Sequence, residues 1–530
     1  MSFRLRLLGV LAAPLPILVM AAVPSFASQS PAPARIPLRG AEVAAVSHSV
    51  RTGGLAADRQ LSVSVSLAPR DPAALDAFVA KVSDRSSAEY GHYLTPAQFA
   101  DRFGPTTAQI NQVTSYLRSQ GLTVGAVTGG HLVVKASGTV AQIQQAFGTQ
   151  LSTYRDAAAK RDYYANATAP TLPSAIAASV VDVGGLSNYA TLRHSVAYTP
   201  TQITTGYDLT SVRSAGYTGS GSVALIEFDG FKQSYITKYD TTYSISTTSP
   251  TKIAVDGGSG SIGSGEIEVE LDIEVIQAIA PGAAIHVYEA PNTDAGEVDL
   301  YSAIVNADEP VTSISWGLDE PDRTSANITA VHNVLAEGAA QGESFFAASG
   351  DNGSDDAGTG GTSVDYPASD PYVTGTGGTT LKLTSANAWS SETAWSGSGG
   401  GVSVKFTTPS FQSGISGTYR SVPDVSTAAN PSYGWRIYSE GAWYQVGGTS
   451  AAAPSWAAFT SIYNQRAAAA GKAALGYANP TLYTLGAAAS SGFHDITSGS
   501  NGAYSAAAGY DRVTGWGSYD GAKLITALLG

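Results

Sequence analysis

The 530-residue chain has no cysteine. That excludes a disulfide scaffold, a thiol nucleophile, an iron–sulfur cluster and a zinc finger. Charge is scarce as well: 13% of residues are Asp, Glu, Lys or Arg, against a usual ~25%, too few for a disordered polyelectrolyte. Basic excess is missing, because the formal net charge is −13. A nucleic-acid partner is therefore not expected, since its backbone needs Lys and Arg to displace counterions. Beyond the first 23 residues no run approaches the ~18 apolar residues needed to cross a bilayer. What remains is a chain with 58 Gly, 27 Tyr and 43% hydrophobic residues. It is long enough for two or more folding units with sizeable cores.

The N-terminus carries the pattern of an export signal. Arg4 and Arg6 precede an apolar stretch from Leu7 to Val23, and Ser25-Phe26-Ala27 is a small-x-small cleavage site. Pro14 and Pro16 interrupt the apolar run, which disfavours a membrane anchor. A signal peptide over residues 1–27 and a secreted, extracellular product are expected, with no membrane association after cleavage. Charge then divides the rest. Residues 1–194 hold 16 Lys/Arg and 10 Asp/Glu, whereas residues 195–530 hold 13 and 32. A basic front half tethered to an acidic back half suggests partner surfaces within one chain, although both charges could equally serve solubility.

In the front half, Leu61 to Leu67 alternates with period two, a strand signal, and Pro72 opens a helical stretch through Val82. Further helices are predicted over Thr106–Gln120 and from a Thr139 cap to Phe147, with extended segments at Leu122–Val127, Leu132–Val134 and Gln150–Tyr154. A polar stretch from about Arg155 to Pro200 reads as a connector. In the back half, strands are expected at Ser222–Phe228, Ala284–Glu289, Val311–Trp316, Ser344–Ala348 and Tyr372–Thr376. Helices around Leu300–Val305, Ala326–Gly342 and Ser450–Ala470 separate some of them. That alternation implies a mainly parallel sheet with ligands at the strands' carboxyl ends.

Two strings carry chemistry. In Gly447-Gly448-Thr449-Ser450-Ala451-Ala452-Ala453-Pro454 a glycine pair lets backbone approach a substrate, and Ser450 opens a long Ala-rich helix. The same serine could be an ordinary N-cap. The string resembles the nucleophile motif of subtilisin-like proteases, but none of His48, His92, His131, His194, His286, His332 or His494 sits in a His-Gly-Thr context. The second string, Glu266 to Glu274, alternates carboxylates with apolar residues, as a strand would. It runs without a turn to Ala280, however, and Ile267, Leu271, Val275 and Ile279 fall on one helical stripe. As a helix it sets Glu268 and Asp272 one turn apart, where like charges favour sharing a proton. Such a pair could serve Ser450 as base and then acid at low pH, or be a solvated acidic face.

Together these strings resemble the sedolisin family of serine-carboxyl peptidases, and its kumamolisin-like members in particular. Tyr90-Gly91-His92-Tyr93-Leu94-Thr95, Phe99 and Phe103-Gly104-Pro105 resemble that family's activation prosegment. Ser315-Trp316-Gly317 and Ser349-Gly350-Asp351-Asn352-Gly353 resemble two further family strings. The resemblance implies an α/β fold: a subtilisin-like, mainly parallel sheet flanked by helices, preceded by a small α/β (ferredoxin-like) prodomain. It implies a signal peptide at 1–27, a prosegment at 28–194 that inhibits its own enzyme, and a peptidase domain at 195–530 acting on polypeptides as a monomer. Ser450 would be the nucleophile, Glu268 its base, Asp272 the carboxyl behind Glu268, and Asp351 the oxyanion partner. Glu227 and Trp316 would extend the carboxyl network, and Asp365 and Gly448 would contact substrate. Phe493-His494-Asp495-Ile496 and Gly509-Tyr510-Asp511 resemble the family's calcium site. One structural Ca2+ would be held by Asp495 and Asp511 and by carbonyls of Ile496, Ala507 and Gly509. The reading is a secreted, acid-active endopeptidase that cuts its own linker near Arg193–Ser195. A tripeptidyl exopeptidase, a His-based subtilisin-like protease and an inactive calcium-bound surface protein on the same fold are the alternatives.

Overall fold

The computed structural model describes residues 34–530, apart from 85, 157–160, 190–197 and 489–491. The expected leader over residues 1–27 and the expected cut near Arg193–Ser195 lie outside the described residues.

The front half folds around strand β1 (Gln60–Leu67), whose Leu61, Val63, Val65 and Leu67 are buried as its alternation requires. Helices α1 (Pro72–Ser83) and α2 (Thr107–Ser119), strands β2 (Thr123–Val127) and β3 (Val133–Thr139), helix α3 (Val140–Phe147) and strand β4 (Val180–Gly184) follow. Asp71 caps α1, while Thr106 and Thr139 start α2 and α3 with complete capping boxes to Gln109 and Gln142. The sheet order is β2-β3-β1-β4, antiparallel throughout. With α2 after β1 and α3 after β3, this is the expected ferredoxin-like arrangement.

The connector expected from Arg155 to Pro200 is a correction. Arg161–Asn166 pairs with Leu151–Asp156, Thr171–Pro173 pairs with Arg35–Pro37, and β4 completes the sheet beside β1. Val180-Val181-Asp182-Val183 is short and lies among Ala, Pro and Ser. Its strand character comes from the pairing partner rather than from local composition.

The back half contains β5 (Ser222–Glu227), β6 (Thr251–Ala254), α4 (Glu266–Ile279), β7 (Ala284–Glu289), α5 (Asp294–Asn306), β8 (Val311–Ile314) and α6 (Ser325–Gln341). It continues with β9 (Ser344–Ala348), β10 (Val373–Leu383), β11 (Trp389–Ala394), β12 (Val425–Ala428) and α7 (Ala452–Ala469). These strands form an eight-stranded sheet in the order β6-β7-β5-β8-β9-β10-β11, with β12 also on β10. Every pairing is parallel except β10 with β11. Strands β8 and β9 are buried along their whole length, because helices cover both faces. On one face Val269, Ile273 and Ile276 of α4 share a core with Trp456, Phe459 and Ile462 of α7. On the other, Val298 and Tyr301 of α5 pack with Val331 and Leu335 of α6.

That second core also takes in Leu75, Phe78 and Val79 of α1, together with Phe99 and Phe103. The prodomain therefore docks over α5 and α6 largely through apolar side chains, which is where most of the attraction lies. Lys135 provides the ion pairs across this interface, at 2.7 Å from Asp256 and 3.2 Å from Asp299. Tyr372 donates a hydrogen bond to Asp76 (2.6 Å), and the Gly129 N–H donates to Asn306 (2.9 Å). Among the described residues, the opposed net charges of the two halves thus meet here mainly through one lysine. Among the described residues, no helix is long and apolar enough to cross a membrane.

Candidate active site

Residues 266–279 form a helix, so the alternating pattern is resolved against a strand. The helical turn separates the carboxylates into two stripes. Glu268 and Asp272 form one, and Glu266, Glu270 and Glu274 the other. Neither stripe is a solvated face, because all five side chains are buried. The second stripe is occupied structurally: Glu270 accepts from the Lys232 backbone N–H (2.9 Å), Glu274 from that of Tyr438 (3.0 Å), and Glu266 pairs with the Lys232 ammonium. Burial pushes Glu270 up to about 7 and Glu274 well above the ordinary carboxylate range.

The first stripe meets the carboxyl ends of the parallel strands. Ser315 follows β8, and its hydroxyl donates to the Asp272 carboxylate, at 2.8 and 2.7 Å from its two oxygens. The same hydroxyl lies 3.1 Å from the Ser450 carbonyl, while the Ser450 hydroxyl lies 3.5 Å from the Ser315 carbonyl. Burial drives the Asp272 carboxyl well above its usual range, and the Ser315 hydrogen bond only partly offsets this. Glu227, at the end of β5, accepts from the Trp316 indole N–H (2.7 Å). Burial, reinforced by the nearby Asp272, pushes Glu227 well up as well.

Ser450 sits in a tight turn, Thr449–Ala451, immediately ahead of α7, which begins at Ala452. Its hydroxyl makes no capping bond to that helix, so the N-cap reading is not realised. Asp351, three residues past the end of β9 at Ala348, is fixed from the same turn: its carboxylate accepts from the Thr449 N–H (2.7 Å) and hydroxyl (3.0 Å). Gly448 is buried beside it, and a side chain on Gly447 would run into the backbone of Pro431. Asp365 lies against Gly317, where a Cβ would come within 2.5 Å of its carboxylate. Burial and the neighbouring Asp356 and Asp319 push Asp365 well upward.

Of the residues expected from sequence, Asp272 and Ser450 both lie against Ser315, Glu227 is held by Trp316 near Asp272, Asp351 is held by the turn that carries Ser450, and Glu268 sits one helical turn before Asp272 on α4. Three of the described histidines are engaged elsewhere: His286 contacts Glu309, His332 contacts Asp370, and His494 stacks on Trp389. Ser315 and Thr449 were given no role from sequence. Their signal was the strings that contain them, which name the neighbourhood but not the hydroxyl that bridges it.

Of the five expected calcium ligands, Asp495 is linked to Gly509 and Asp511 to Ala507. The Gly509 N–H points at the Asp495 carboxylate (3.2 and 3.1 Å), and the Ala507 N–H donates to Asp511 (3.1 Å). Asp511 also accepts from the Val513 and Thr514 N–H groups (2.8 Å each) and from the Thr514 hydroxyl. Burial pushes its carboxyl upward, and the backbone hydrogen bonds partly offset this. The donor set, two carboxylates and main-chain carbonyls, fits a hard cation such as Ca2+.

Residues 47–189 match the Pro-kumamolisin activation domain. Kumamolisin of Bacillus sp. (strain MN-32) is 33% identical to this chain, over 91% of it and 94% of the relative. The chain belongs to the sedolisin family. Sedolisin of Pseudomonas sp. (strain 101) is 32% identical over 89% of this chain and 87% of its own. The solved structure of Pseudomonas sedolisin, a serine-carboxyl proteinase complexed with two molecules of pseudo-iodotyrostatin, covers 63% of this chain and 99% of its own. Its identity is 30% and its TM-score 0.55. Human tripeptidyl-peptidase 1 is 26% identical over 89% of this chain. As a sedolisin, the chain is a serine-carboxyl peptidase made as a zymogen, and its prodomain is an intramolecular inhibitor.

Proposed function

We propose that this sedolisin is an exported, monomeric endopeptidase working in acid, with a signal peptide at 1–27, a prosegment ending near residue 194, and a peptidase domain from 195. Ser450 attacks the peptide carbonyl and passes its proton to Glu268, with Asp272 stabilising the shared charge behind it. Asp351, in its protonated form, donates to the developing oxyanion; ionised, it would repel it. Glu268 then protonates the departing amine, and water releases the acyl group from Ser450 by the reverse sequence. Glu227 and Trp316 hold the far end of the carboxyl network, and Asp365 and Gly448 border the substrate. Asp495, Asp511 and the carbonyls of Ile496, Ala507 and Gly509 would hold one Ca2+, which supplies charge balance and ties the loop together.

The observation that carries this reading is the Ser315 hydroxyl, which donates to the Asp272 carboxylate and lies 3.1 Å from the carbonyl of Ser450. Buried carboxyls with raised pKa values, Asp272 and Glu227, suit proton sharing below neutral pH. The test is digestion of a mixed peptide library by the matured enzyme across pH. Internal cuts confined to acid are expected. Activity rising toward neutral or alkaline pH would point to histidine, and release of tripeptides alone would point to an exopeptidase.

A further inference from the structure

Asp229 has no role in the reading above, yet it holds the start of the helix that carries both Glu268 and Asp272. It lies two residues beyond Glu227 at the end of β5 and is largely buried. One carboxylate oxygen accepts from the N–H groups of Gly230 and Gly263, both at 2.7 Å, and the other accepts from Gly265 at 2.8 Å. Gly265 is the residue immediately ahead of α4, and no side chain of the helix's own N-cap satisfies its first N–H groups. Asp229, from a different element, binds the N–H of that N-cap residue, while the N–H groups of Glu266 and Glu268 turn to the carbonyls of Gly263 and Gly265.

The link from Asp229 to the proposed base is one residue long. The Gly265 N–H is bound by Asp229, and the Gly265 carbonyl accepts from the N–H of Glu268 itself (3.0 Å). The fit allows little slack. A Cβ on Gly265 would lie 2.7 Å from the Trp316 ring and 2.9 Å from Asp229, and one on Gly263 would lie 3.0 Å from the Asp229 carboxylate. Trp316 is itself tied to Glu227. The loop leading into the helix is pinned a second time, where Ser259 donates to Glu289 (2.8 Å).

We infer that Asp229 is a positioning residue: it fixes the first turn of α4, and through it the reach of Glu268 toward Ser450. The inference rests on Glu268 being the base. Misplacing a catalytic group by about 1 Å can cost on the order of 10²-fold in rate. A loss confined to kcat is the signature of an interaction realised only in the transition state.

The experiment compares Asp229→Asn, Glu268→Gln and Thr293→Ala with wild type. Each full-length precursor is matured with a trace of tagged wild-type enzyme that is then removed. Thr293 is an ordinary N-cap, accepting from Gly296 at the start of α5 (3.1 Å), and its loss reports on capping alone. Asp229→Asn, which cannot accept all three bonds, is expected to lower kcat by about 10-fold or more with KM within about 3-fold. Thr293→Ala should lower the melting temperature while leaving kcat at the wild-type value. If Asp229→Asn does not fold, Gly265→Ala, which wedges a methyl between Asp229 and Trp316, should give the same kcat loss. Asp229→Asn turnover within twofold of wild type overturns the inference, as does a matching kcat loss in Thr293→Ala, or failure of both Asp229→Asn and Gly265→Ala to fold. Wild-type kcat in Glu268→Gln would instead reject the base itself, independently of Asp229.

Discussion

Ser315 contributes one hydroxyl to the crevice, but that hydroxyl reaches both Asp272 and the Ser450 turn. A net hydrogen bond is worth about 0.5–1.5 kcal/mol, so Ser315→Ala should slow turnover by about two- to tenfold. Because that bond opposes the upward push of burial on Asp272, its removal should raise the Asp272 carboxyl further. Steady-state kinetics of the matured variant, with unchanged rates as the contrary result, would check the bridge. Ser450, Glu268, Asp272 and Asp351 were legible in the sequence because each stands in a string dense with glycine or carboxylate. Ser315 was legible only as a member of the Ser315-Trp316-Gly317 string and Asp229 only as a polar residue at a strand end, since neither signal says which group the side chain reaches. Their importance arises when ends from distant parts of the chain meet.

At the scale of elements, the helix from Glu266 to Ile279 was legible only in part. Its apolar stripe and lack of a turn gave the helix, but not the burial of all five carboxylates, which depends on Lys232, Tyr438 and Ser315 arriving from other segments. Strand β4 was hidden for the same reason, being defined by its partner β1. The loop from Asp495 to Asp511 carries its own prediction. If it binds Ca2+ only when folded, saturating ion stabilises the enzyme, by about 2.7 kcal/mol at 100 times Kd. Chelation, or Asp511→Ala, should therefore lower the melting temperature, read by calorimetry with and without added calcium. An unchanged melting temperature in chelator and no metal by elemental analysis would reject the site.

Across the whole molecule, acids are buried at the prodomain contact, and burial outweighs the offset from nearby cations such as Lys135 and Arg323. Burial raises Asp182 and Asp294 to about 7 and Glu337 and Asp299 to about 8. A prodomain backbone segment at Gly130 lies directly on the Glu337 carboxylate. In the unfolded chain these groups lose their protons near pH 4, so between about pH 4 and 8 the folded precursor binds more protons than the unfolded one. Stability contributed by these groups thus rises as pH falls through that window and levels off on either side. A Ser450→Ala precursor should melt higher at pH 5 than at pH 8; the reverse order would contradict the interface chemistry. In the proposed reading, acid triggers self-cleavage of the linker. In a tethered chain that step is intramolecular, so its rate should not depend on dilution. The most direct test of carboxylate-driven serine catalysis is to acidify purified wild-type and Glu268→Gln precursors side by side and follow chain length and peptide hydrolysis. The account predicts first-order, dilution-independent processing of the wild type and a Glu268→Gln rate lower by about 10²–10⁴; wild-type rates in Glu268→Gln would contradict it.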